Sequence, residues 1–207
     1  MLKKIIIKEH KKKLTFDQFL ELKEIIKVEN PSSVIALLND AYLKKYLDKC
    51  ILSHFIYLYS CSYKKKIIGY AIFAKKPSYL ITEHNNLKFK IFLFLLYNLK
   101  IITILNLIIK FFKVDEILIS KENRLIIKNN LNLNMIAIKK KYQSEGIGTF
   151  FLKKLLTNLN KKKIFSIITL EAIDENAILF YKKKFSFKIL GTKIRFFKNL
   201  KVLFKKN

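Results

Sequence analysis

Between Leu14 and Val28 the apolar residues Leu14, Phe16, Phe19, Leu20, Leu22, Ile25 and Ile26 recur at mostly helical spacing, with Thr15 or Asp17 near the start. This pattern predicts an amphipathic helix, preceded by a short strand over residues 2 to 8. Pro31 separates it from a second helix, opened by Ser32 or Ser33, whose Val34, Leu37, Leu38, Ala41, Tyr42 and Leu47 make one apolar face suited to lying on a sheet. From Ile51 to Tyr63 and from Ile67 to Phe73 the chain is dense in aromatic and β-branched residues. The polar break Lys64 to Lys66 between these runs predicts a hairpin of two antiparallel strands.

Pro77 closes that hairpin, and Leu87 to Phe112 is strongly apolar. Lys88, Lys90, Asn98, Lys100, Asn106 and Lys110 interrupt it, and its longest apolar run, Ile91 to Tyr97, spans 7 residues against the roughly 20 of a membrane-spanning helix. Two readings stay open. One is a helical pair packed on the domain's own core or at a homodimer interface, the commoner arrangement; the other is an interfacial helix whose lysine stems snorkel while the apolar side docks on lipid. Short strands are expected at Glu116 to Ser120 and near Leu125 to Ile127.

The segment LNLNMIAIKKKYQSEGIGTFFLKKLL then reads strand, turn, helix. Leu131, Leu133, Met135 and Ala137 alternate with Asn132, Asn134, Ile136 and Ile138, and Phe150 to Leu159 keeps helical periodicity. Of 4 glycines in the chain, Gly146 and Gly148 stand in this one turn. Residues without Cβ let backbone approach a ligand, and N–H groups opening a helix form a cradle for a pyrophosphate. No Gly-Lys-Ser/Thr follows, which excludes a nucleotide-triphosphate P-loop, and the three-glycine dinucleotide fingerprint is missing. An isolated pair of glycines joining strand to helix would need no ligand to explain it.

Downstream, Ile164 to Leu170 forms a β-prone run, followed by Asp174-Glu-Asn-Ala177-Ile-Leu-Phe-Tyr181-Lys-Lys-Lys-Phe-Ser-Phe187. Gln143-Ser-Glu-Gly146-Ile-Gly148 resembles motif A of the GNAT N-acetyltransferase superfamily, Gln/Arg-x-x-Gly-x-Gly/Ala, between an apolar strand and a helix. The run from Asp174 resembles the family's motif B, Asn-x-x-Ala-x-x-x-Tyr-x-x-x-Gly-Phe. The two cover about residues 131 to 190. There are three departures: Asp174 stands where Asn is usual, with Asn176 as a neighbouring amide; Ser186 replaces the glycine before Phe187, so a residue with a Cβ must make the bend; and the insert at about 75 to 130 is longer than in compact members.

Length and composition predict a single domain over 1–207, and the apolar segment predicts a helical insert at about 82–113 before the fourth core strand. The resemblance implies an α/β fold with a mixed, mostly antiparallel central sheet and helices on both faces. It also implies acetyl-CoA as cosubstrate. The pantetheine arm would add to the strand of Ile136, Ala137 and Ile138, with the Ile138 N–H as oxyanion donor. The N–H groups of Gln143, Ser144, Glu145, Gly146, Ile147, Gly148 and Thr149 would hold the pyrophosphate, with Lys139 to Lys141 near the cofactor's other phosphate and Glu145 pointing outward. Asp174 and Asn176 lie by the cofactor arm, with Asp174 also a good N-cap. Tyr181 is the catalytic candidate for protonating the departing sulfur. Glu171 is a candidate base, and equally a solvated strand end; Asn132 and Asn134 could orient a water instead.

Composition changes this picture little. The formal net charge of +27 invites nucleic acid, an anionic membrane surface or an acidic substrate. Only Arg124 and Arg195 among the 42 basic residues are arginine, however, and the abundance of Lys, Ile and Asn is the signature of an A/T-rich genome. Cys50 and Cys61 are too few for a disulfide scaffold and form no metal-spaced cluster with His10, His54 and His84, so a reduced cytoplasm and no metal are expected. The start MLKKIIIKEHKKK lacks a signal peptide's apolar stretch. A small amine such as an amino sugar is the favoured acceptor. The alternatives are a protein amine or aminoacyl-tRNA, and a non-catalytic module on a degenerate fold that binds a membrane surface or nucleic acid.

Overall fold

The computed structural model describes residues 2–31, 33–82, 105, 118–195 and 198–206. In chain order the elements are β1 (Ile5–Glu9), α1 (Phe16–Glu29), α2 (Asp40–Leu52), β2 (Ile56–Tyr63), β3 (Lys66–Ala74), α3 (Tyr79–Thr82), α4 (Lys121–Asn129), β4 (Leu131–Ile138), α5 (Ile147–Lys161), β5 (Ile167–Ala172), α6 (Glu175–Phe185), β6 (Lys188–Arg195) and β7 (Lys198–Lys206). The strands form a 7-stranded sheet in the order β1-β2-β3-β4-β5-β7-β6. Among the described residues only β4 and β5 run parallel, and every other neighbouring pair of strands is antiparallel. Among the described residues no helix is long and apolar enough to cross a membrane. Apart from residues 82 and 105, the helical insert expected at about 82–113 lies outside the described residues.

Helices cover both faces. On one, Phe151, Leu152, Leu155 and Leu159 of α5 and Ile178, Tyr181 and Phe185 of α6 pack on Tyr59, Phe73, Leu131, Leu133, Ile138, Ile168 and Leu170. On the other, Phe19, Leu22, Ile25 and Ile26 of α1 and Leu43, Leu47 and Cys50 of α2 pack on Leu58, Tyr70 and Ile72. Burying each such side chain contributes about 1.5–3 kcal/mol. A capping box opens α1: Thr15 accepts from the Gln18 N–H while the Gln18 side chain accepts from the Thr15 N–H.

Several elements differ from the sequence reading. Ser33 caps only a 3₁₀ turn, Val34–Leu37. Leu38 then turns extended, and Asn39 starts α2 by accepting from the Tyr42 N–H at 3.0 Å, because a short polar side chain competes with the helix backbone. Ile51 and Leu52 end α2 rather than begin β2. The expected hairpin forms around Lys64 and Lys65, both left-handed (φ 48° and 66°). Residues 116 and 117 of one expected strand lie outside the described residues, and its last residue, Ser120, caps α4 through the Asn123 N–H. The other, Leu125 to Ile127, lies within α4: a three-residue apolar run carries no period, and the cap decides. The run from Ile164 enters its strand only at Ile167.

The alternation expected along β4 is broken by a bulge. Met135 pairs with Ile72 but Leu133 pairs with Phe73, so Asn134 has no opposite residue and is exposed. The extra residue switches the faces. Leu131, Leu133, Ile136 and Ile138 thus join the α5 side, whereas Met135 and Ala137 join the α1 side.

Candidate functional site

The bulge lies where β4 leaves its parallel neighbour. Pairing of β4 with β5 covers Leu131–Ile168, Asn132–Thr169 and Leu133–Leu170 and then stops, although β4 continues to Ile138 and β5 to Ala172. Asn132 staples the base of this split by donating its side-chain amide to Thr169 Oγ1 at 3.2 Å. Beyond it, the two strands diverge. Successive N–H groups of a strand point to opposite edges. Because the Lys139 N–H donates to Ile68 O on the β3 side (2.8 Å), the N–H groups of Ile136 and Ile138 face the open edge and that of Ala137 faces β3.

The open edge runs directly into the glycine turn. A 3₁₀ turn, Lys140–Tyr142, reverses the chain, and Ser144 (φ 65°) and Gly146 (φ 77°) take left-handed conformations before α5 begins. The Gln143 N–H is already used, donating to Lys140 O at 3.0 Å, so it leaves the set expected to hold a pyrophosphate. Among the described residues, the N–H groups of Ser144, Glu145, Gly146, Ile147, Gly148 and Thr149 have no protein acceptor; the first helical bond of α5 is Phe150 N–H to Gly146 O. No acidic side chain stands in the first turn of α5, whose 15 residues aim their positive end at this backbone. A Cβ added at Gly146 or Gly148 would meet no atom within 4 Å, so the turn is an open cradle. Glu145 is exposed, as expected.

The lysines beside the turn are not equivalent. Lys139 pairs with Glu24 (2.7 Å), the Lys141 ammonium lies 5.1 Å from the Tyr142 ring centre, and Lys140 is exposed. Glu29, at the end of α1, accepts from the Lys140 N–H (2.7 Å) and from Gln143 Nε2 (3.2 Å); the same Gln143 amide donates to Ile138 O (2.7 Å). Sequence reasoning missed Glu29, because it lies more than 100 positions from its partners and α1 carries several other acidic residues.

On α6, Asp174 accepts from the Asn176 N–H (2.6 Å) and the Ala177 N–H (3.2 Å), the N-cap expected of it, and Asn176 is exposed in the first turn. Tyr181 is buried in the same cluster as Ile138, Ile147, Leu170 and Ala172, edge-on to Phe180 and Phe187. Burial pushes its phenol up to about 12, so it stays protonated, and among the described residues its hydroxyl has no hydrogen-bond partner. Ser186 makes the bend before Phe187 in a left-handed conformation (φ 58°). Glu171, on β5 beyond the last β4 pair, bonds the buried Lys193 of β6 at 3.0 Å. Lys193 was also missed, since nothing local distinguishes it from the other lysines.

No family model matches the chain, and no curated protein matches its sequence. Solved structures do. A GNAT family acetyltransferase from Elizabethkingia anophelis with acetyl-CoA bound is 14% identical, with a TM-score of 0.54 over 99% of both chains. A chimeric spermidine N-acetyltransferase from Vibrio cholerae is 12% identical, with a TM-score of 0.60 over 98% of this chain and 95% of its own. The ribosomal-protein-S18-alanine N-acetyltransferase from Escherichia coli is 11% identical, with a TM-score of 0.55 over 98% of this chain and 93% of its own. With the single parallel pair, the β4 bulge and the open turn all in place, this chain has the GNAT fold.

Proposed function

We propose that this chain is an acetyl-CoA-dependent N-acetyltransferase acting on a primary amine, with a small molecule as the favoured acceptor. The observation that carries the reading is two neighbouring sets of N–H groups without a protein acceptor among the described residues, those of Ile136 and Ile138 on the open edge of β4 and those of 144–149 at the start of α5, separated by the bonded 139–143 reversal. An open strand edge takes up an extended arm by backbone hydrogen bonds, and a helix N-terminus takes up a phosphate. The fold's likeness to a structure holding acetyl-CoA supports the same ligand here.

Acetyl-CoA, when bound, supplies an acyl group activated as a thioester. In this reading the backbone of Ser144 to Thr149 holds its pyrophosphate, the exposed Lys140 favours its remaining phosphate, and Ile136 to Ile138 hold the pantetheine arm. Asp174 and Asn176 flank that arm from α6. The Ile138 N–H donates to the carbonyl oxygen as charge develops there. Tyr181, a phenol protonated at neutral pH, gives its proton to the departing sulfur. Attack requires a neutral amine, and Glu171, directly or through a water, is the candidate acceptor of the amine's proton, held in place by Lys193.

Spermidine and an alanine of a ribosomal protein, named for two fold neighbours, are examples of a small and a macromolecular acceptor. The net charge of +27 favours a second reading, in which a macromolecular acceptor such as a protein amine or aminoacyl-tRNA is steered electrostatically. A free-thiol assay with acetyl-CoA against a panel of amines tests the proposal: at least one small amine should release thiol above background. Absence of thiol release with small, protein and aminoacyl-tRNA amines alike would refute it. Turnover nearly indifferent to salt between low and physiological strength marks the small acceptor, and a steep fall marks the macromolecule.

A further inference from the structure

The glycine turn holds its own shape only in part: Tyr142 N–H bonds Lys139 O (2.8 Å), Gln143 N–H bonds Lys140 O (3.0 Å) and Ile147 is buried at its end, but the stretch between has no such support. Ser144 sits in a left-handed conformation that disfavours a residue with a Cβ, and its neighbours 143–146 are exposed, with no core packing to fix them. A further restraint on the turn comes from the opposite side of the sheet. Glu29, on the last turn of α1, takes the Lys140 N–H at 2.7 Å with one carboxylate oxygen and Gln143 Nε2 at 3.2 Å with the other. Gln143 passes the restraint on by donating to Ile138 O at 2.7 Å, the carbonyl beside the open N–H edge of β4. One carboxylate thus spans the reversal between strand and cradle.

We propose that Glu29 is a positioning residue for the cofactor: it fixes the 140–143 reversal so that the N–H groups of 144–149 converge on the pyrophosphate. This rests on the acetyl-CoA reading above. The sign of its effect separates it from bulk electrostatics. A carboxylate beside an anion site repels the anion, so charge alone predicts that removing Glu29 tightens binding. Positioning predicts the reverse, because the freed Lys140 N–H and Gln143 amide leave the turn to sample conformations in which its donors diverge, and the ordering must then be supplied on binding. Glu24 is the internal comparison. It bears the same charge on the same helix and, among the described residues, bonds the Lys139 ammonium and not the turn, on a side chain 60% exposed.

The test is calorimetric titration of acetyl-CoA into wild type, Glu29→Ala, Glu29→Gln and Glu24→Gln, with backbone amide hydrogen exchange followed at the bonded amides of Lys140, Tyr142 and Gln143. Glu29→Ala is expected to weaken binding at least about tenfold, and Glu29→Gln, which keeps one acceptor, by a smaller factor. Exchange should quicken in the turn while the sheet stays protected, and the loss should appear in KM for acetyl-CoA with kcat at saturation retained. Glu24→Gln should bind as tightly as wild type or more tightly. Equal or tighter binding by Glu29→Ala overturns the inference, as does a loss in Glu24→Gln as large as that in Glu29→Ala. If Glu29→Ala does not fold, Glu29→Gln decides alone, weaker binding supporting the inference and equal or tighter binding overturning it. Failure of wild type to bind acetyl-CoA would instead strike the functional reading on which the inference rests.

Discussion

At the scale of single residues, the apolar surroundings of Tyr181 do two things at once. They press its ring against Phe180 and Phe187, and they raise its phenol to about 12, which disfavours a resting phenolate. If it serves the departing sulfur, Tyr181→Phe should lower kcat by about 10-fold or more and leave acetyl-CoA affinity within about threefold. Equal losses in both would assign it to binding. Ser186 offers a test of stability instead. Its φ of 58° is the conformation the family pattern gives to glycine, so Ser186→Gly should stabilise the fold by about 1 kcal/mol, raising Tm by about 2–4 °C. An unchanged or lowered Tm would show that the Ser186 conformation is not strained. The caps and bends of this region were legible because each depends on neighbours a few positions away: Asp174 meets the N–H groups of Asn176 and Ala177, and Ser186 follows its own helix. Glu29 and Lys193 were not, because a long-range partner leaves no local pattern.

At the scale of elements, periodicity was read well where a segment has one face to bury and poorly where a cap or bulge intervenes. Phe19, Leu22, Ile25 and Ile26 bury the face expected of α1, although Phe16 and Leu20 of the same set are exposed, and Phe151, Leu155 and Leu159 line the buried side of α5. Asn39 divided the second helix, Ser120 turned an apolar triplet into α4, and the bulge at Asn134 reversed the faces of β4, all through single polar residues whose weight period counting does not measure. The edge pair β1–β2 carries a pH dependence. His10, next to the end of β1, is buried with Nε2 2.8 Å from Ser60 Oγ, and burial, reinforced by nearby Lys8, lowers its pKa to about 4. The unfolded chain takes up that proton near pH 6.5 while the folded chain resists until about pH 4. Stability should therefore fall as pH drops through this window and the term should level off below it, amounting to on the order of 3 kcal/mol. Urea unfolding at pH 7 and pH 4.5 measures it, and His10→Gln should show a smaller difference between the two. The same difference in both proteins would place the dependence elsewhere.

For the whole molecule, the sheet order is what makes a site out of ordinary parts. One parallel pair among antiparallel neighbours gives two strands that begin together at Leu131 and Ile168 and part after Leu133 and Leu170. β3 holds one side of the split by pairing with β4, and β7 holds the other by pairing with β5, so the gap is enforced by the partners on either side. The mixed sheet and its helices were legible from the two motifs, but this geometry was not, since it depends on where pairing ends. Titration of acetyl-CoA into wild type and Gly148→Val is the most direct measurement of the central claim. Gly148 lies in the first turn of α5, and a Cβ there meets no protein atom within 4 Å, so valine intrudes on the cradle and not on the core. Wild type should bind at one site, and Gly148→Val should bind at least about tenfold more weakly with its fold intact. No binding by wild type, or equal affinity in the variant, would contradict the account.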